Sequence, residues 1–414
     1  MAMGNLFKIA IRNLLRYKRR TLLTASLITV GVVFVLAFVS VAGTFKNMMI
    51  GQITDSMIGH LQVHRKGFVA SLETLPLNMN LKGGAIGKLE KILAAQPEVE
   101  AYSPRIKFGG MFSNFTETSS IRITAIDPAR EFKTAPFLPE RVKNGSRELK
   151  SGGILVPELL AQGMKVKPGD TVVVVATNAD GSVNGKQFVV TGVMESATGP
   201  GGRDGYIHMD DARELLRMED KQVSEYAIRL RDFGKLDAFG KKLAGLLSQE
   251  LNPLGKPIFE VHTWEKLSPF FNIARMIDLM TFFIKIMLIA IVLISIMNVM
   301  IMAVYERIRE IGTIAAIGTL PGKILSMFVI EGLCMGVVGA LIGDLVGIGL
   351  VWILNLSQIS YDFGMQKGLV LQASVSPADI LMISVTVIIV SVIASLQPAF
   401  KASRMEPIQA LRHI

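Results

Sequence analysis

A single cysteine, Cys334, stands in 414 residues, and it lies inside a long apolar run. No disulfide framework can form within the chain, so an exported portion must be held by its own core, which a segment of about 200 residues can supply. Cys334 itself reads as a small apolar side chain among others. Histidine is scarce too. His60 and His64 flank Leu-Gln-Val without a glutamate partner, while His208, His262 and His413 are scattered, so no zinc signature is present. Phosphate-cradling loops are missing as well. Gly318 to Lys323, GTLPGK, lacks the G-x4-G-K-S/T spacing and is followed by Ile324; Gly199-Pro200-Gly201-Gly202 is broken by proline and followed by Arg203-Asp204. The sequence offers no ATP site, no bound cofactor and no catalytic constellation, which argues against an enzyme.

What is abundant is apolar. Half of the residues are hydrophobic, with 22 Met and 38 Gly, and the mean hydropathy is +0.44. That is unusual for a chain that is soluble throughout. Four runs approach or exceed the ~18–20 residues that span ~30 Å of hydrocarbon: Thr21 to Gly43, Met280 to Val304, Leu325 to Leu354 and Ile380 to Leu396. The first must be weighed against a signal peptide, because Ser40-Val41-Ala42 has cleavage-like spacing. Its core is about twice the length of a signal core, and a long basic amphipathic stretch precedes it, so it reads as a retained membrane helix.

Charge sets the orientation. Residues 1–20 carry Lys8, Arg12, Arg16, Lys18, Arg19 and Arg20 with no acid; the loop after the second run adds Arg307, Arg309 and Lys323, and the tail adds Lys401, Arg404 and Arg412. By the positive-inside rule these segments, and both termini, are cytoplasmic. The insert from Thr44 to Phe270 has 29 Lys and Arg against 26 Asp and Glu, near balance, and reads as the exported domain. The basic excess thus belongs to the membrane flanks, which excludes nucleic acid and favours lipid headgroups as its partner.

Within the insert, Phe45 to Met57 continues the first helix outward as a stalk. A strand follows at His60 to His64. Helix-like Ile86 to Gln96, strand-like Ile121 to Ile126, Thr171 to Ala176 and Gln187 to Val193, and helices near Met209 to Leu216 and Leu236 to Leu247 alternate after it, an α+β pattern. The pattern changes around Gly145 to Gly153, which suggests two lobes. Phe270 to Leu279 forms the return stalk.

Three membrane-side features stand out. Tyr305 to Ala316 has helical periodicity but carries Glu306, Arg307, Arg309 and Glu310, too many charges for hydrocarbon. Ile308, Ile311, Ala315 and Ile317 supply its apolar contact. Gly339, Gly343 and Gly347, following Gly332 and Gly336, put small residues where another helix can approach, either within the chain or across a dimer or gate. Asp344 lies deep in the same run and must face protein or water. Glu331 and Lys285 read as side chains snorkelling to a membrane surface.

The run NVMIMAVYERIREIGTIAAIGTLPGKILSMFVIEGL (Asn298 to Leu333) and the tail QPAFKASRMEPIQAL (Gln397 to Leu411), with Arg12-Asn13-Leu14-Leu15-Arg16, resemble the MacB/FtsX/LolE-like permeases of ABC transporters, of type VII. The resemblance implies four transmembrane α-helices with a large α+β extracytoplasmic domain, MacB-like and periplasmic, between helices 1 and 2. The layout is then an elbow helix at 1–20, a first span at 21–43, the exported domain with stalks at 44–270, and a stalk and second span at 271–304. A coupling helix and loop at 305–323, a third span at 324–355, a short outer loop at 356–376, a fourth span at 377–399 and a tail at 400–414 complete it. In such a permease Glu306, Arg307, Arg309, Glu310 and Gly312 would dock on a separate ATPase, two copies of which would hold ATP and Mg. Four helices and one docking segment imply a second copy or a sister permease, with a periplasmic carrier or adaptor outside and the bacterial inner membrane as the location. The opening Gly59-His60-Leu61-Gln62-Val63-His64 and the absence of a fused ATPase look most like the lipoprotein-release branch. Macrolide or peptide export of the MacB kind, and FtsX-like control of a cell-wall hydrolase, are the alternatives.

Overall fold

The computed structural model describes residues 12–14, 16, 18–71, 74–197, 202–363 and 366–406. Of the elbow expected at Phe7 to Arg20, Arg12 to Leu14, Arg16 and Lys18 to Arg20 are helical; the rest, the loop residues 198–201 and the tail from Pro407 lie outside the described residues. The chain forms two compact units, one of residues 1–46, 275–360 and 370–414, the other of residues 47–274 with 361–369.

Four helices are long and apolar enough to cross a membrane: α1 (Lys18–Ile53), α8 (Phe270–Glu306), α10 (Pro321–Leu356) and α11 (Pro377–Ser403). At ~1.5 Å per residue the 36 residues of α1 reach about 54 Å, well beyond the hydrocarbon thickness. The stalks expected on either side of the exported domain are thus the same continuous helices as the spans. Their shared core is built from Ile28, Val32 and Leu36 of α1, Val292, Ile296 and Met300 of α8, Phe328 and Met335 of α10, and Val387 and Ala394 of α11. Large apolar side chains such as Leu22, Phe283, Leu345 and Leu381 point outward and remain exposed. Large apolar side chains exposed along membrane-length helices are what a lipid-facing bundle requires.

The second unit is α+β. Among the described residues its strands are β1 (Leu61–Arg65), β2 (Val99–Ser113), β3 (Thr118–Ile126), β4 (Val142–Gly145), β5 (Gly153–Pro157), β6 (Thr171–Thr177), β7 (Val183–Met194), β8 (Gly205–His208), β9 (Glu225–Leu230) and β10 (Phe259–Thr263). They make one sheet in the order β10-β1-β9-β2-β3-β8-β5-β7-β4, with β6 bridging β2 and β7. The change of pattern at Gly145 to Gly153 does not divide it, because β4 and β5 on either side both pair with β7. Helices α2 (Gly83–Ala94), α3 (Pro128–Thr134), α4 (Glu158–Gly163), α5 (Met209–Leu215), α6 (Leu236–Ser248) and α7 (Trp264–Leu267) complete the unit. In α2 and α6 the apolar residues recur every three or four positions, and Ile86, Leu89, Leu93 and Phe239, Leu243, Leu247 are buried accordingly.

Strand β2 is the longest of these and the least expected. Pro104, Gly109 and Gly110 lie within it, residues that ordinarily demote a strand. Gly110 is needed there: a Cβ at this position would sit 2.7 Å from the Val175 carbonyl oxygen of β6, where the two backbones cross. The loop after α10 also folds, into a two-stranded sheet of β11 (Ser360–Phe363) and β12 (Gln366–Val370) that the sequence did not announce.

Candidate functional site

The charged segment between the second and third spans is not one helix from Tyr305. Helix α8 runs on to Glu306, the backbone breaks at Arg307, and a separate short helix α9 (Ile308–Ala316) follows. Its end is set by Gly318, whose φ of 93° favours glycine, with the Gly318 and Thr319 N–H groups donating back to the Ala315 and Ile314 carbonyls. Pro321 then opens α10 at a position where a missing N–H costs nothing.

The break has a cause. Arg307 is 4% exposed and turns inward to Glu331 of α10, which is 2% exposed, with both guanidinium Nη atoms donating at 3.2 and 3.4 Å. This corrects two expectations. Arg307 does not belong to an outward docking face, and Glu331 does not snorkel. A charge three turns into an apolar helix is tolerated where a partner neutralises it, and Glu331 was the signal in the sequence that such a partner exists.

The outward face of α9 is carried by other residues. Glu306, Arg309 and Glu310 are exposed, as are Ile314, Ile317 and Leu320, whereas Ile311 and Gly312 are buried in the bundle. Gly312 therefore joins Arg307 on the inner side, and of the expected apolar contact residues Ile311 is buried while Ile317 is 80% exposed. Glu310 also lies 3.5 Å from Arg16 of the N-terminal segment. Charged and apolar side chains are thus exposed side by side on this segment.

The glycine row divides in two. Cβ atoms placed at Gly339, Gly343 and Gly347 would come within 2.6, 2.6 and 2.9 Å of Ile28, Val32 and Leu36, so this stripe is filled by α1 of the same chain. Gly332 and Gly336 turn instead to Ser395 and Ser391 of α11. The stripe is a close contact within the chain and is not left open as a dimer surface. Next to it Asp344, 9% exposed, accepts a hydrogen bond from Ser384 of α11 through one carboxylate oxygen, while the other has no partner among the described residues.

With this arrangement in view, the family profile for the MacB-like periplasmic core domain matches residues 21–246, and that for the FtsX-like permease C-terminal region matches residues 282–407. The chain belongs to the FtsX-like permeases with a MacB-like periplasmic core. It is an ABC transporter permease of the LolC/LolE/MacB type. It is 24% identical to the lipoprotein-releasing system transmembrane protein LolC of Neisseria meningitidis over 95% of this chain and 94% of that one. LolE of Haemophilus influenzae is 22% identical over 78% of this chain and 80% of its own. The macrolide export ATP-binding/permease protein MacB of Chromobacterium violaceum is 26% identical over 65% of this chain but 37% of its own.

The core domain of this permease holds a buried charge cluster that sequence patterning does not reveal. Arg105 on β2 binds Glu131 of α3 at 2.5 Å and Glu225 of β9 at 3.1 Å; His64 of β1 and Lys107 of β2 lie 3.4 and 3.3 Å from the same Glu225. Burial pushes the Glu225 carboxyl up, but Lys107, His64 and Arg105 outweigh it and hold the group well below the usual carboxylate range. A depressed folded pKa stabilises the fold above the unfolded carboxylate range, and that contribution is lost as pH falls through the folded value. Acid is therefore expected to destabilise the domain progressively below about pH 5, and Glu225→Gln to flatten that dependence. Thermal unfolding followed by Trp264 emission in a Trp352→Phe background, from pH 7 to pH 3, tests it; equal slopes for the two proteins would refute the assignment.

Proposed function

We propose that this chain is the non-catalytic membrane subunit of a bacterial inner-membrane ABC transporter that releases lipoproteins from the outer leaflet. A separate ATPase, two copies per complex, supplies ATP hydrolysis and carries the Mg. It grips the outward face of α9, and α1 and α8 pass its closure to the exported core domain. Both termini and α9 lie on the cytoplasmic side. A second copy or a sister permease completes the assembly, and a periplasmic carrier receives the substrate. The observation that carries this reading is the exposed Glu306, Arg309 and Glu310 with Ile314, Ile317 and Leu320, on and flanking the short helix α9 between two membrane-length helices. End-to-end similarity to LolC supports the lipoprotein branch over macrolide export, since the likeness to MacB spans little more than a third of that relative.

Arg309→Ala combined with Glu310→Ala tests the docking face. In the reconstituted complex, transport and permease-stimulated ATP hydrolysis are expected to fall together by roughly tenfold or more, the scale of one or two lost interfacial contacts of ~1.4 kcal/mol. Membrane insertion should be unchanged. Full coupling in the double variant would remove α9 from the ATPase interface.

A further inference from the structure

A cleft of about 510 Å³ opens at one end of the core domain, where the end of β1, the start of α2 and the turn before β10 meet. Four of its lining residues are cations, Arg65, Lys66, Lys82 and Lys256, and none is acidic. Lys66, Lys82 and Lys256 are exposed and form no ion pair with any described residue. Lys82 is also the N-cap of α2. Its side chain does not cap the helix and no acid occupies the first turn, so the first N–H groups of α2 have no intrahelical acceptor at the helix end whose Lys82 and Ala85 line the cleft.

An independent sign comes from Asn80. It lines the same cleft, yet it is 2% exposed. Its Oδ1 accepts from Ser224 Oγ at 2.9 Å, and Ser224 Oγ in turn accepts from the Lys107 N–H at 2.9 Å, which orients the amide. The Asn80 Nδ2 is then a buried donor without an acceptor among the described residues. A buried donor left unmade is unfavourable, and an acceptor group bound in the cleft would relieve it. The turn that presents Lys256 is preorganised: Asn252 Oδ1 accepts from the Leu254 and Lys256 N–H groups at 2.9 and 3.0 Å.

We propose that this cleft binds a phosphate group. Convergent cations, an open helix N-terminus and one buried amide donor supply positive charge and N–H donors for a doubly charged anion with several acceptor oxygens, more than a lone carboxylate requires. Leu81, Leu251 and Ile258 also line the cleft and would contact an apolar group attached to it. The phosphate comes from a lipid headgroup or from solution, and the two sources separate in one experiment. The full chain in maltoside detergent is titrated calorimetrically, at fixed ionic strength, with inorganic phosphate and with water-soluble dibutyryl phosphatidic acid. Saturable binding is expected, weakened about tenfold or more by Lys82→Gln with Lys256→Gln, since each removes a contact of ~1 kcal/mol or more from exposed side chains that the fold does not need. Asn80→Asp, which keeps the Ser224 contact and replaces the donor by a carboxylate, should abolish it. Tighter binding of the phosphatidic acid identifies a lipid headgroup, and equal binding identifies free phosphate. Absence of binding by both, or unchanged affinity in the double lysine variant with its Trp264 emission intact, overturns the proposal.

Discussion

Arg307→Ala is expected to destabilise the membrane unit by about 3–5 kcal/mol, the usual cost of removing one partner from a buried ion pair. The pair earns that expectation from its burial, because both side chains are at most 5% exposed and Glu331 has no water to fall back on. The variant deprives Glu331 of the guanidinium that neutralises it, at a point where α8 must break so that α9 can begin. Replacing both partners by apolar residues of similar size, Arg307→Met with Glu331→Leu, is expected to recover most of the loss, since neither charge then needs solvation. A double-mutant cycle on the thermal stability of the detergent-solubilised chain reads the coupling directly. Single variants that each cost less than about 1 kcal/mol would place the pair in solvent, where ion pairs are worth that little. The cycle also separates structure from docking. If the doubly apolar chain is stable and still stimulates the proposed ATPase partner, Arg307 serves to shape the break and does not contact that partner.

Gly343→Val carries the second largest effect. Its Cβ would fall 2.6 Å from the Val32 side chain of α1, against the 3.5–4.0 Å at which carbon atoms rest, so the two helices must separate by about 1 Å. Overfilling of this kind costs about 1–3 kcal/mol. Separation also weakens the hydrogen bond from Thr29 Oγ1 to the Gly339 carbonyl, now 3.3 Å. Lipid offers no hydrophobic gain to offset the loss, because close van der Waals contact is what holds such helices together. Gly349→Val, on the same helix with open space around it, is the control and should be near neutral. The two variants compared in the same melting experiment decide the matter: equal midpoints would mean that α1 and α10 do not touch along this stripe.

Several parts of this architecture could be read directly from the chain. Membrane spans, the charged interruption at 305–323 and the amphipathic helices α2 and α6 are local patterns, written in residues a few positions apart. Other parts could not. Strand β2 escaped because Pro104, Gly109 and Gly110 signal interruption, and only the approach of β6 explains why glycine belongs there. Glu331 was misjudged because its distance from the helix start suggests an interfacial position, and nothing near it in sequence names Arg307, 24 residues earlier. Ile311 and Ile317 read alike as apolar contact residues, yet Ile311 is buried and Ile317, at the helix end before the Gly318 turn, is exposed.

By itself the sequence determined that this protein spans a membrane four times, exports an α+β domain between the first two spans and presents a short charged helix between the second and third. Hydropathy, charge sign and period are properties of contiguous residues, and they act before any long-range contact forms. Which side chains of the charged helix face outward, which helix fills each glycine stripe, and that Asn80 and four cations share one cleft were decided only by the tertiary structure. These depend on pairings between residues tens to hundreds of positions apart, such as Arg307 with Glu331, Gly343 with Val32 and Asn80 with Ser224, and such pairings follow from how whole elements meet, which no local pattern encodes.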